Sequence, residues 1–259
     1  MSAPLLEVSD LTVRFGEHRA VRGIGFSMGR ERLGIVGESG SGKSLTGRAI
    51  LRLLPAGAAL SATRLAFAGI DLLAAGADEM RALRGRRLAL VLQDPKFSLN
   101  PLMPVGAQIA ESYHAHGRLS AGEARARTLA MLEAVCIREP RRVHDLYPHE
   151  ISGGMGQRVM IAMMLAGDPD LLIADEPTSA LDVTVQAQVL AVLDEQVSRR
   201  DMGLILISHD LDLVARFCDR VLVMEQGVIV ERLAAAALDE AQHPYSRRLL
   251  AARPRLVAP

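Results

Sequence analysis

Lysine is almost missing from this chain. Of thirty basic side chains only two, Lys43 and Lys96, are lysines, so a lysine kept at a chemically demanding position gains weight. Cysteine is equally scarce. Cys136 and Cys218 are the two, too few for a disulfide framework and without metal-ligand spacing, which suits a reducing cytosol and buried structural thiols. Tryptophan is absent, with only three Tyr and five Phe. Neither sign of charge is in excess. Thirty acidic groups balance thirty basic ones, and that excludes a global field favouring nucleic acid or an anionic membrane as the main partner. No eighteen apolar residues run together, and the start, MSAPLLEVSDLTVRF, has no basic stretch followed by an apolar segment. The expectation is a protein neither exported nor membrane-spanning by itself. What remains is 259 residues with 49% apolar side chains, enough for one sizeable core with a possible inserted subdomain.

Short apolar runs separated by Gly and charged turns read as strands over LEVSDLTVRF, VRGIGFSM and RLGIVG. The pattern then changes to a helix, SLTGRAILRLL, stopped by Pro55 and Gly57. A strand at TRLAFAG, a short helix around DEMRALRG and a strand at RLALVLQD follow. From Pro95 to about Gly167 the periodicity is helical, in VGAQIAESYHAH, AGEARARTLAMLEAV and MGQRVMIAMMLAG. Alternation returns with DLLIADE as strand, VTVQAQVLAVLDEQVSRR as helix, GLILISHD as strand and LDLVARFCD as helix. RVLVMEQGVIVE reads as a hairpin turning at Gln226-Gly227. Continuous Ile/Leu/Val runs such as LLIAD and GLILIS indicate strands buried on both faces, hence an α/β fold whose core sheet is mainly parallel.

GESGSGKS, Gly37 to Ser44, matches G-x-x-x-x-G-K-[ST] directly after a strand and opening a helix. In such a loop Gly37, Glu38, Ser39, Gly40, Ser41 and Gly42 wrap a β-phosphate with backbone N–H groups, Lys43 reaches the β/γ oxygens and Ser44 ligates Mg²⁺. LLIADE delivers Asp175 and Glu176 to the C-terminal end of a strand, where ligands of open α/β sheets bind. Asp175 is placed to hold Mg²⁺, and Glu176 to polarise a water for in-line attack on the γ-phosphate. Gln93, ending another strand, offers an amide oxygen to Mg²⁺ or that water; as a lone residue it reads more readily as an ordinary strand-end polar group. His209, following GLILIS, is at a position where a lone histidine is usually structural, but on the γ-phosphate side of the sheet it is a candidate to bond both γ-phosphate and Glu176. Phe15 is either an adenine-stacking ring or one more core aromatic. ISGGMGQR forms a second phosphate cradle, with Ser152, Gly153 and Gly154 at the mouth of a helix. Met160, Met163 and Met164 fall at helical spacing and read as packing. His114, His116, His144 and His149 are too isolated to suggest a metal.

GESGSGKS, Gln93, ISGGM, LLIADE and SALD, in this order along the chain, resemble the ATP-binding-cassette family, over nearly the whole length. The resemblance implies a P-loop NTPase fold with N-terminal antiparallel strands. A nucleotide-binding core would span 1–94 and 168–233, with an inserted helical subdomain at 95–167 and a short helical tail at 234–259. It also implies two cassettes packed head to tail, so that Ser152, Gly153 and Gly154 of one meet the γ-phosphate of the ATP held by the P-loop of the other, with SALD (Ser179 to Asp182) crossing the same interface. The commonest signature has glutamine where Met155 stands here.

QDPKFSLNPLMPVGAQIAE, the signature region and QHPYSRRLLAARP, with His243, Pro244 and Tyr245, narrow the resemblance to ATPase subunits of dipeptide, oligopeptide and nickel importers. This implies an ATP-hydrolysing subunit, using Mg²⁺, at the cytoplasmic face of a bacterial inner membrane. Its partners would be a second, identical or homologous ATPase, two permease subunits and, indirectly, an extracytoplasmic solute-binding protein, with no nucleic acid. The segment Asp94 to Gly106 would transmit closure to the permease. Members of this branch often carry a longer, sometimes cysteine-bearing, C-terminal region, and no regulatory role of that kind is expected. Peptide, nickel, a metal chelate or an opine all stand as cargo. The rival readings are a soluble cassette ATPase not coupled to transport and a silent nucleotide-binding regulator; an intact Glu176, Gln93 and His209 set argues against the second.

Overall fold

The computed structural model describes residues 3–93, 98–115, 117, 119–178 and 181–253. In chain order the strands are β1 (Leu6–Phe15), β2 (His18–Met28), β3 (Arg32–Val36), β4 (Ala58–Ser61), β5 (Arg64–Phe67), β6 (Ile70–Asp71), β7 (Leu88–Val91), β8 (Leu171–Asp175), β9 (Gly203–Ser208), β10 (Arg220–Glu225) and β11 (Val228–Ala234). The helices are α1 (Lys43–Ile50), α2 (Ala77–Leu83), α3 (Val105–His114), α4 (Ala121–Ala134), α5 (Pro140–His144), α6 (Gly153–Leu165), α7 (Val183–Arg199), α8 (Leu211–Phe217) and α9 (Pro244–Ala251). Two compact units divide the chain, one formed by residues 1–75 and 203–259 and the other by 76–202.

The first unit holds an antiparallel sheet ordered β2-β1-β5-β6, with β4 also pairing with β1. Strict alternation along β1 from Leu6 and Val8 would turn Asp10 inward. A bulge with Asp10 at φ 53° shifts the register, so that Leu11 and Val13 become the fully buried residues instead. The same unit contains the run β11-β10-β3-β9, in which β10, β3 and β9 are mutually parallel and β11 returns antiparallel. The β10–β11 turn falls on Gln226 and Gly227, at φ 47° and 84°, the left-handed pair that a two-residue hairpin demands. Ala68 and Gly69 do the same between β5 and β6. β9 is buried throughout, the state that its GLILIS run requires.

α8 lies directly on β3 because residue 34 is glycine. A Cβ there would stand 2.3 Å from Val214 Cγ1 and 3.3 Å from Cys218 Sγ. The two cysteines part company at this level. Cys218 is half-buried beside Gly34 with its thiol pushed up to about 12 by burial, as expected of a structural thiol, whereas Cys136 is exposed at the end of α4. Its position just past a helix C-terminus, at φ 56°, accounts for the difference.

In the second unit β7 and β8 run parallel, with Arg87 bonded to Asp170 at 2.7 Å where both strands begin. Every residue of β8 is buried. Between those strands in sequence come α3 to α6, and α4 starts on a full capping box, Ser120 with Glu123. α3 rests against α5 at Gly106, where a Cβ would overlap the His144 ring at 2.2 Å. His144 is also bonded through Nδ1 to Asp145 at 2.5 Å, and His149 stacks on Tyr147. His116 lies outside the described residues, and no cluster of three metal-ligating side chains occurs among those described. Nor is any described helix long and apolar enough to cross a membrane.

Gly34→Ala is expected to lower the free energy of unfolding by about 1–3 kcal/mol, the usual cost of overpacking a tight site, read as a reduced urea midpoint with unchanged slope.

Candidate functional site

Two groups of candidate residues are assembled, one in each unit. In the first, the loop from Gly37 to Ser44 joins the end of β3 to the start of α1. Gly37 at φ 152° and Gly42 at φ 100° are required by close approach as well as by conformation. A Cβ on Gly37 would sit 2.2 Å from the Met224 carbonyl oxygen, and one on Gly42 would sit 2.9 Å from that of Ala20. α1 opens on Gly42 with no side-chain cap and no acidic residue in its first turn, leaving N-terminal N–H groups for an external anion.

Lys43 is buried, at 5% exposure. Its ammonium donates to the carbonyls of Gly37 and Glu38, both at 2.8 Å, and approaches Ser41 Oγ at 3.5 Å. The charge is thus held under the loop, beside the uncapped N–H groups, an arrangement suited to a polyphosphate. Two further contacts brace the loop from outside. The Gly227 N–H donates to the Ser41 carbonyl at 3.0 Å, and the Glu38 N–H donates to Tyr245 Oη at 2.8 Å. Neither was legible from motif or spacing, although QHPYSRR marked Tyr245 as part of a distinctive stretch.

His209 is exposed one residue beyond β9. Because Val36 pairs with Ser208 in the parallel β3–β9 register, His209 leaves its strand level with Gly37, and both belong to one C-terminal strand edge. Phe15 ends β1 opposite His18 and is half-buried, so it is no fully buried core ring. Its hairpin partner β2 supplies Ala20 and Val21, the residues against Gly42, which sets Phe15 on the hairpin that adjoins the loop.

In the second unit the β7–β8 register pairs Val91 with Ala174, placing Gln93 and Glu176 side by side just past their strands. Gln93 Nε2 donates to Glu176 Oε2 at 3.2 Å. Asp175 is buried at 5% exposure. Glu176 takes φ 47°, a left-handed conformation uncommon for a side-chain-bearing residue and frequent at functional sites. Asp175 and Gln93 in this unit, like Ser44 in the other, carry oxygen donors of the kind a hard divalent cation such as Mg²⁺ takes.

Ser152 is the N-cap of α6, its Oγ accepting from the Met155 N–H at 3.3 Å. That bond uses an oxygen lone pair and does not consume the hydroxyl proton. Position 155 therefore contributes through its backbone. Ser152 and Gly153 are exposed, while Gly154 is held close to α7, where a Cβ would lie 2.3 Å from Val185 Cγ1. Asp182 caps α7 through the Val185 N–H at 3.0 Å. Ser179 and the leading part of the segment Asp94 to Gly106, residues 94–97, lie outside the described residues.

The fold is that of known ABC ATPase cassettes. The chain is similar to cbiO1 of Clostridium perfringens, part of the cbiONQ transporter complex, with a TM-score of 0.80 and 25% identity over 98% of each chain. It is also similar to dimeric MJ0796, described as a bacterial ABC transporter cassette, with a TM-score of 0.79 and 26% identity over 89% of this chain and 98% of the other. Among curated proteins, the "probable peptide ABC transporter ATP-binding protein y4tR" of Sinorhizobium fredii is 49% identical across 95% of this chain and 76% of its own length. The "glutathione import ATP-binding protein GsiA" of Pectobacterium atrosepticum is also 49% identical, across 97% of this chain, yet the chain spans only 42% of GsiA. The ABC transporter family model matches residues 22–179, a span that takes in the phosphate loop, the Gln93–Glu176 pair and the serine-capped helix together, and the chain belongs to the ABC transporter family.

Proposed function

We propose that this chain binds and hydrolyses ATP to power peptide import, acting as one half of a head-to-tail pair of cassettes docked on two permease subunits at the cytoplasmic face of the membrane. The observation that carries this reading is the loop over a buried Lys43 at an uncapped helix start, in a chain whose sequence also supplies an acidic pair at a strand end. The names of y4tR and GsiA, and of the oligopeptide transport protein OppD of Bacillus subtilis, 46% identical over 97% of this chain, favour peptides as cargo. The helical insertion at 95–167, with Gln93 at its entry, is then the part that relays closure to the permease.

In this reading Lys43 and the N–H groups of the loop, apart from that of Glu38, which is bonded to Tyr245, bind the β- and γ-phosphates, and Phe15 stacks on adenine. The Gln93 amide, by donating to one oxygen of Glu176, orients the other oxygen towards the attacking water, whose proton Glu176 accepts. His209 donates to the γ-phosphate. Mg²⁺, held by Ser44, Asp175 and Gln93, would neutralise phosphate charge and align the oxygens for in-line displacement. Ser152, Gly153 and Gly154 point their donors at the partner's nucleotide, so that charge developing on its γ-phosphate meets a helix N-terminus.

Three substitutions separate these roles. Lys43→Ala is expected to weaken a fluorescent ATP analogue about 10- to 100-fold, the value of lost charge-assisted hydrogen bonds; retained affinity would refute the cradle. Glu176→Gln is expected to keep ATP binding and cut turnover of the assembled transporter by about 10²–10⁴, measured as phosphate release. With Ser152→Arg the chain should bind ATP normally while turnover of the complex falls about 10²-fold or more, and normal vanadate trapping of nucleotide in the complex would contradict that role.

A further inference from the structure

The phosphate loop is gripped from outside by the last quarter of the chain. The Glu38 N–H, at the second position of GESGSGKS, donates to Tyr245 Oη at 2.8 Å, across more than two hundred residues of sequence. Tyr245 is 3% exposed and sits in the first turn of α9. That turn is elaborately fixed. His243 caps it, accepting from the Tyr245 N–H at 3.3 Å, and Pro244 occupies the first helical position. Glu231 of β11 accepts from the N–H groups of Gln242 and His243 at 2.7 and 3.2 Å. The Arg248 guanidinium stands 5.6 Å from the Tyr245 ring centroid and pairs with Glu225 at 3.1 Å. Burial raises the phenol above its ordinary range, so the hydroxyl stays neutral.

An N–H committed to a phenol is not one aimed at a phosphate. Its effect is to set the plane of the first peptide after Gly37, and so the direction in which the rest of the loop leaves β3. The second outside contact, Gly227 N–H to the Ser41 carbonyl, fixes the far side. Between the two anchors Gly40 has open space around it. We propose that Tyr245 is a positioning residue of the phosphate loop: its hydroxyl holds the Glu38 peptide in the nucleotide-competent orientation, so that docking of α9 and occupancy of the loop by a nucleoside triphosphate favour each other. This rests on the reading of the loop as an ATP cradle. Preorganisation of this kind acts on affinity, because an unanchored loop must be ordered when the ligand arrives. By linkage the ligand must in turn steady α9.

The test uses the full chain and a fluorescent ATP analogue. Tyr245→Phe keeps the ring and removes only the acceptor. It is expected to weaken the analogue about fivefold, the scale of one hydrogen bond, with cooperative unfolding retained. Tyr245→Leu is expected to be at least as weak. If the ring mattered only as packing, the Phe variant would match wild type and only the Leu variant would fall, which overturns the proposal. A second arm needs no variant: in the wild-type chain, amide exchange over Gln242–Ala251 should slow when the analogue is bound, and unchanged exchange at saturation overturns the coupling. A wild-type chain that fails to bind the analogue would refute the ATP reading itself, whereas tight wild-type binding matched by Tyr245→Phe removes the strut and leaves that reading intact.

Discussion

The burial of one ammonium group beneath its own loop is the constraint around which the phosphate site is organised. A charge taken from water must be met by dipoles, and Lys43 is met by two carbonyl oxygens at 2.8 Å. Turning those carbonyls towards the lysine orients their peptides, and with them the N–H groups that follow. Gly37 and Gly42 make the path possible, since each allows backbone to approach where a Cβ would collide. In a chain that otherwise uses arginine almost exclusively, the compact, slender lysine is the cation that fits under such a loop; a planar guanidinium would not.

Parallel pairing does the rest of the placing. In each unit two neighbouring strands end together, β3 with β9 and β7 with β8, and the residues just beyond them emerge side by side. Register alone thus brings Gln93 to Glu176 and sets His209 level with Gly37. The strand interiors that guarantee this are the most apolar runs of the sequence, with β8 and β9 buried from end to end. The hydrophobic core is in this sense the ruler against which the polar ends are measured.

This explains which features the sequence disclosed. Long runs such as LLIAD, GLILIS and LEVSDLTVRF are legible because burial on one or both faces leaves a periodic mark, and the Gln226-Gly227 turn because its backbone needs a special residue. β4 carries no such mark: AALS has four small or neutral residues behind Pro55 and Gly57, and becomes a strand only by pairing with β1. Composition implies a buried thiol at Cys136, yet it is exposed, because exposure at a helix end depends on which way the chain leaves α4. The outside anchors of the phosphate loop were invisible for another reason. One is a backbone N–H of the Gln226-Gly227 turn and the other a single hydroxyl within QHPYSRR, and the local pattern that marks each residue says nothing of the distant loop it touches. Motif chemistry names residues for the nucleotide; the contacts that brace their loop are a property of the tertiary fold.

The packing of Gly154 against Val185 bears on motion rather than on chemistry. Both residues lie in the opening turns of their helices, one begun by Ser152 and the other by Asp182, and no side chain cushions the contact on the α6 side. Two helices meeting backbone to side chain at their tips have no slack at that point. A tilt that presses the serine end of α6 towards α7 meets the Val185 side chain at once, so the approach of the two caps has a hard stop.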